Sequence, residues 1–207
     1  MLKNVSLLFC IAFTTLLISG CQDPTKGKPA AELSSAVATA PTATDSDATV
    51  YTLTDATSIA FVGSKVTGSH TGGFNGISGT VTVPGDDLEK AVIAIVVITD
   101  TTHSDSERLT GHLKSEDFFD VAKFPESSFN STRIEKKDDG YTITGNLTLH
   151  GITKLISFPA TLSLTSGTLQ GEAEFSINRT DFGIVYPGKT DDLIREDVLL
   201  TLRLEAR

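Results

Sequence analysis

The stretch YTITGNLTLHGITKLISFPATLSLT, residues 141–165, decides the architecture. Tyr141, Ile143, Gly145, Leu147 and Leu149 alternate with Thr142, Thr144, Asn146 and Thr148. After the turn pair His150-Gly151, Ile156, Phe158, Ala160, Leu162 and Leu164 alternate with Ser157, Pro159, Thr161 and Ser163. Successive side chains of a strand point to opposite faces, so each segment has one apolar face and one wet face. That is the habit of antiparallel sheets. The pattern extends outward in both directions. Leu200, Leu202 and Leu204 alternate with Thr201, Arg203 and Glu205, and Ala91 to Ile98 is apolar on both faces, which predicts a strand covered on both. Pro84-Gly85-Asp86-Asp87, Asp138-Asp139-Gly140 and Ser166-Gly167 punctuate the strands with turns.

Eight strands are expected, near 51–66, 73–83, 89–100, 127–136, 140–149, 152–165, 168–179 and 195–206. Their even spacing points to a sandwich or an up-and-down barrel. One segment breaks the period. Ser106 to Val121 places apolar residues at Leu109, Leu113, Phe118 and Phe119, with Ser106 and Ser115 suited to N-cap positions. A short helical segment near 106–121 is therefore expected, placed to cover one end of an eight-stranded barrel. Such a barrel fills its interior with side chains or holds one small ligand.

The composition is that of a globular chain: 207 residues, 39% hydrophobic and 21% charged. The formal charge of −9 argues against nucleic acid as a partner, because phosphate binding needs a basic face. It argues equally against electrostatic docking on anionic lipid. Cys10 and Cys21 are the two cysteines. Loss of residues 1–20 would leave Cys21 as the one thiol, which excludes an internal disulfide and a multi-cysteine zinc site.

The N-terminus has the layout of a secretory signal over residues 1–20. Lys3 supplies the positive start, Val5 to Ile18 is mostly apolar, and small residues precede Cys21. The apolar run is short for a transmembrane helix, which needs about 20 residues. Ile18-Ser19-Gly20-Cys21 resembles the lipobox of bacterial lipoproteins. That resemblance implies a diacylglyceryl thioether on Cys21, cleavage before it and acylation of the new amine, so that the membrane becomes a partner through the acylated cysteine. Two or more acyl chains give stable attachment. Gln22, where an Asp would resemble an inner-membrane retention signal, favours the outer membrane in a Gram-negative envelope, with the domain facing the periplasm. Residues 22–48 are rich in Ala, Thr, Ser, Pro and Asp, with Leu33 and Val37 as the larger apolar residues. This composition buries little surface, so 21–48 reads as a lipid-anchored disordered tether. Its root-mean-square span would be roughly 30 Å, leaving the folded domain, 49–207, floating near the membrane.

Catalytic signals are poor. His70, His103, His112 and His150 stand at no recognisable metal-ligand spacing, and neither a G-x-S-x-G elbow nor a P-loop occurs. No catalytic residue, metal or cofactor is assigned. The aromatic set says more: eleven Phe, three Tyr and no Trp. Phe118, Phe119, Phe124 and Phe129 cluster around the helical break. Plain core packing explains any single Phe; the sharper reading is that several line a cavity for an oily chain. Arg179 continues the apolar face of Ala173, Phe175 and Ile177. An inward charge needs a partner, and Asp181 is the local candidate. Either the strand ends and Arg179 reaches water, or Arg179 and Asp181 pair at a cavity mouth.

Four further motifs resemble one family. Ser58-Ile59-Ala60-Phe61 with Gly72-Gly73-Phe74 and Gly79 resembles the opening of the YceI-like, lipid/polyisoprenoid-binding family. The run Gly111-His112-Leu113-Lys114-Ser115-Glu116-Asp117-Phe118-Phe119-Asp120, with Phe124-Pro125 and Phe129-Asn130-Ser131 after it, resembles the next block. Gly145-Asn146-Leu147-Thr148-Leu149-His150-Gly151-Ile152-Thr153 is similar to the family's hairpin, and Ile177-Asn178-Arg179-Thr180-Asp181-Phe182-Gly183 to its last motif. The four follow the family's order over residues 51–207. The resemblance implies a lipocalin-like barrel around an apolar tunnel and an isoprenoid ligand of quinone or polyprenyl type. It also implies tunnel walls that include Phe61, Phe74, Phe118, Phe119, Phe129, Leu147, Phe158, Phe175 and Ile177. One departure concerns Arg108-Leu109-Thr110-Gly111, where many members carry Arg-Asp before His-Leu; the acid is missing here. Two other readings stay open: a ligand-free interaction domain of the envelope, and a hydrolase or isomerase acting on a lipid.

Overall fold

The computed structural model describes residues 23–36 and 47–207. The signal segment and Cys21 lie outside the described residues. The strands are β1 (Glu32–Ser35), β2 (Ala48–Thr52), β3 (Ser58–Lys65), β4 (Gly68–Phe74), β5 (Ile77–Pro84), β6 (Val92–Ile98) and β7 (Thr102–Ser104). After helix α1 (Glu107–Leu113) come β8 (Glu126–Lys137), β9 (Gly140–Leu149), β10 (Ile152–Thr165), β11 (Thr168–Asn178), β12 (Gly188–Lys189), β13 (Asp192–Leu193) and β14 (Asp197–Ala206). The chain is all-β, as the alternation predicts. Most long strands fall in the eight expected spans, but β4 fills the expected gap at 67–72, and short strands are added. The span near 51–66 divides into β2 and β3, and that near 73–83 bends at Asn75-Gly76 between β4 and β5.

The main sheet runs in the order β2-β5-β6-β8-β9-β10-β11-β14-β3-β4-β7, every ladder antiparallel. It curls back on itself. Thr52, at the end of the first strand in that order, exchanges backbone hydrogen bonds of 2.7 and 2.9 Å with Arg207, just past β14. Leu53 bridges Ala206. The curl puts one face of each strand inside. Phe175 is 1% exposed and Ile156, Phe158, Ile143, Val81 and Val83 are buried with it.

Two glycines let large rings lie flat against the wall. A Cβ at Gly145 would sit 2.4 Å from the Phe129 ring, and one at Gly72 only 2.3 Å from the Phe61 ring. The missing side chain is what admits each aromatic. The break in the period near 106–121 becomes α1 followed by turns. Ser106 caps α1 by accepting from the Leu109 N–H at 3.4 Å. Ser115 caps no helix; its hydroxyl donates to the His112 carbonyl at 2.8 Å. Leu109 and Leu113 of α1, with Phe118 and Phe119, pack on Phe61 and Phe74 and close one end of the barrel.

The tether expectation is corrected over its described part. The β10–β11 ladder stops at Thr161–Glu172, next to Pro159, which has no N–H to donate. Beyond that point the two strands diverge, and residues 29–35 fill the gap. Ala31 donates to the Ser176 carbonyl at 2.8 Å, and Ser176 donates back to Pro29 at 2.9 Å. Residues 32–35, as β1, pair with Ser157 to Lys154 of β10. Ala31 is buried in the main core, with Leu33 packed against it. Composition misled here because a segment poor in apolar residues becomes a strand when neighbouring strands offer unpaired backbone groups.

The β12–β13 hairpin docks on the β3–β4 turn. Asp192 takes the Lys65 ammonium and two bonds from Thr67, at 3.1 Å from its N–H and 2.9 Å from its hydroxyl. Lys65 first, then Thr67, holds the Asp192 carboxyl below the usual carboxylate range. The contact is complete at neutral pH and is lost as acid takes the pH down through that lowered value.

Candidate functional site

The barrel interior is not packed shut. A cavity of about 240 Å³ lies between the two core clusters, and its wall is almost wholly apolar. Its lining comes from the inward positions of β3, β4, β6, β8, β9, β10, β11 and β14, with Phe118 and Phe119 after α1. All nine apolar residues named from the sequence line this one cavity. Six of the seven Phe among them form two aromatic groups. Phe158 and Phe175 stack with ring centroids 4.1 Å apart and 14° between planes, and Phe129 meets Phe158 at 5.7 Å. Under α1, Phe74 meets Phe61 at 5.9 Å and Phe119 at 5.4 Å. The sequence list omitted Ile59, Ala173, Leu200 and Leu202, which also line the space. Counting by twos along β3, β11 and β14 would have found them; the aromatic emphasis passed them over.

Arg179 lines the cavity too and is 6% exposed, but Asp181 is not its partner. The Asp181 carboxylate accepts from Lys154 at 3.3 Å. The Arg179 guanidinium instead donates to three backbone carbonyls: Nη1 to Ile184 at 2.5 Å, Nε to Arg195 at 3.1 Å and Nη2 to Ile194 at 3.4 Å. Burial pulls the pKa of this group down, and Glu196 pulls it up; an arginine stays protonated regardless. The expected pair at a cavity mouth is therefore a staple joining two loop segments. The reason is geometric. After Asn178 the chain turns into a 3₁₀ segment, Arg179–Phe182, which carries Asp181 toward β10 and leaves the guanidinium beside the 194–195 loop.

Two histidines meet carboxylates. His112 Nε2 lies 2.7 Å from Asp117, with its ring edge-on to Phe118 and Tyr186. His70 Nδ1 lies 2.8 Å from Asp105. Among the described residues no group of three or more His, Cys, Asp or Glu could hold a metal ion. Ser127 is the one lining residue with a buried hydroxyl that finds no partner among the described residues.

The family model for the YceI-like domain matches residues 51–206. The chain belongs to the YceI-like family. A UPF0312 protein of Yersinia enterocolitica is 34% identical over 122 residues, covering 55% of this chain and 62% of that protein. A UPF0312 protein of Yersinia pestis matches to the same extent. This chain thus spans 62% of the length of the curated relatives it matches. Among solved structures, Burkholderia cenocepacia BcnA superposes with a TM-score of 0.63 at 17% identity, covering 73% of this chain and 96% of that one. A polyisoprenoid binding domain from Saccharophagus degradans, implicated in plant cell wall breakdown, gives 0.62 at 16%, covering 76% and 97%. The Campylobacter jejuni YCEI protein gives 0.55 at 21%, covering 66% and 84%. These likenesses establish a shared lipocalin-like barrel. The YceI-like match begins at Tyr51, so β1 and the residues leading to it lie outside the family domain.

Proposed function

We propose that this YceI-like chain is a membrane-anchored carrier that holds an isoprenoid lipid, of quinone or polyprenyl type, in its barrel. The observation that carries this reading is the open apolar cavity. An interaction domain with no ligand would have its Phe side chains filling that space, and they leave about 240 Å³ vacant. A dry cavity of about 150 Å³ lined by Leu, Ile and Phe accepts benzene, whereas typical ligand pockets run to about 300–1,000 Å³. The space therefore holds a section of prenyl chain, with the remainder leaving through the opening. The polyisoprenoid-binding neighbour from Saccharophagus degradans supports the ligand class. Burial of an apolar chain in an acidic protein makes binding nearly independent of salt.

Ala173 gives the cleanest test. It is half-buried on the cavity wall of β11 and opposite Leu202 of β14. Ala173→Phe fills vacant space instead of forcing atoms into a packed core, so the melting temperature should hold. Affinity for a prenyl alcohol or a quinone should fall about tenfold or more, which is about 1.4 kcal/mol. Organic extracts of natively purified wild-type protein should contain a prenyl lipid that the variant lacks. Wild-type protein that binds neither ligand, with extracts free of lipid beyond the anchor, would end the carrier reading and return the interaction domain.

Attachment through Cys21 belongs to the same proposal, with an outer-membrane, periplasm-facing location. Among the described residues no helix is long and apolar enough to cross a membrane. Cys21→Ser should leave the precursor uncleaved and free of acyl label. Wild-type protein recovered from the soluble fraction with an unmodified Cys21 would contradict the anchor.

A further inference from the structure

Asp23, two residues after Cys21, is already tied to the barrel. Its carboxylate lies 3.4 Å from the Arg195 guanidinium and accepts from the Thr25 N–H at 3.0 Å and hydroxyl at 2.7 Å. Lys28 then pairs with Glu174, and residues 29–35 lie in the wall. Two extended residues reach about 7 Å. A lipid on Cys21 would therefore be held beside Arg195, with no long tether between.

The surface around Arg195 is unusually apolar. Val66, Val185 and Leu193 are 61%, 66% and 50% exposed. They lie on one rim. The Val66 N–H donates to the Leu193 carbonyl at 3.3 Å, and Leu193 runs directly into Ile194 and Arg195. Val185 follows Ile184, and the carbonyls of Ile184, Ile194 and Arg195 all converge on Arg179. Two of the charges beside the rim are paired, Lys65 with Asp192 and Arg195 with Asp23, while Lys189 and Asp191 of the hairpin and Glu196 are exposed. Behind it, the side chains of Ile184 and Ile194 line the cavity.

We infer that the rim formed by Val66, Val185 and Leu193 sits in the surface of a lipid bilayer beside the anchored Cys21, so that the cavity exchanges its ligand with the membrane directly. The inference rests on the anchored-carrier reading and adds to it an orientation and a route. Exposed apolar side chains, with acids outnumbering bases among the exposed charges beside them, suit an uncharged membrane surface, with insertion confined to the boundary between headgroups and acyl chains and the charges left in the headgroup layer.

The sequence supplies its own test. It contains no Trp, and in the chain from Cys21 onward Cys21 is the one thiol. That chain, coupled through Cys21 to a maleimide lipid in phosphatidylcholine vesicles with brominated acyl chains, fixes the anchor whatever the cell does to it. Leu193→Trp provides a reporter at the rim. Val50→Trp provides the control, on β2 beside Tyr51 of the other core cluster and 57% exposed. Both positions are exposed, and matched melting curves check that both variants fold. The Leu193→Trp emission should shift to the blue and lose most of its intensity to the bromolipid, while the Val50→Trp emission stays unchanged. Equal quenching at both positions, or none at either, overturns the inference. Changing Val66, Val185 and Leu193 together to Ser should slow transfer of a prenyl alcohol from vesicles several-fold and leave binding from detergent micelles intact. Unchanged transfer would overturn the route. Wild-type protein that takes no ligand even from micelles would instead fail as a carrier, and the quenching pattern would still judge the orientation.

Discussion

Arg179→Met should lower the melting temperature by roughly 6–20 °C, with equal damage to the binding of every ligand. The guanidinium is buried and satisfies three carbonyls, those of Ile184, Ile194 and Arg195. Methionine matches the length of the stem and offers no donor. Hydrogen bonds to a charged group contribute about 1.5–3 kcal/mol each, and a stranded buried acceptor costs about 1–3 kcal/mol. Two of the three bonds are only part-buried, so water recovers some of the loss and the net falls near 3–5 kcal/mol. A domain of this size loses about 2–4 °C per kcal/mol. Hydrogen exchange should quicken at residues 184–195, the segments that the guanidinium joins. Arg179→Lys should recover little, because an ammonium cannot reach three carbonyls in a planar fork. A near-native melting temperature combined with lost affinity for charged head groups alone would make Arg179 a ligand contact and disprove the staple.

Removal of residues 23–36 should lower the melting temperature by roughly 5–15 °C, a loss of about 2–4 kcal/mol. The deletion opens the gap between β10 and β11 and exposes two strand edges that the segment now pairs. Each backbone bond contributes about 0.5–1.5 kcal/mol net, and burial of Ala31 and Leu33 adds to it, while release of the segment's ordering entropy offsets part. Unpaired edges also invite association between molecules, so the truncated protein should aggregate at concentrations where the full chain stays monodisperse. Ala31→Asp checks the same contact by a single change, since Ala31 is 7% exposed within the main core. An unchanged melting temperature in both variants would restore the free tether that composition suggested.

These two predictions mark where local reasoning ended. The long-range contacts behind both, Ala31 with Ser176 and Arg179 with the 194–195 loop, join positions far apart in the chain. The proposed anchor and rim belong to the same category. A disordered 21–48 segment would leave an anchored barrel some 30 Å from the membrane, whereas under the proposed attachment the tie from Asp23 to Arg195 would bring one identifiable face to it.

The sequence by itself determined the strand class, most strand positions, the α1 cap at Ser106 and the strand-borne aromatic part of the cavity wall. All of these follow from period-two alternation and local capping, which a residue and its near neighbours encode. Of the nine apolar residues around the cavity, those on strands sit on inward faces that alternate whatever the barrel's closure, while Phe118 and Phe119, in the turns after α1, rested on the aromatic clustering and the family resemblance. Only the tertiary structure decided that residues 29–35 complete the wall and that Arg179 binds carbonyls while Asp181 turns to Lys154. For the wall and for Arg179 the partners are backbone N–H and C=O groups, which every residue carries, and which of them stand unpaired is settled only when distant strands have taken their places. Asp181 finds the Lys154 side chain for the same reason, because only the folded barrel brings β10 beside it.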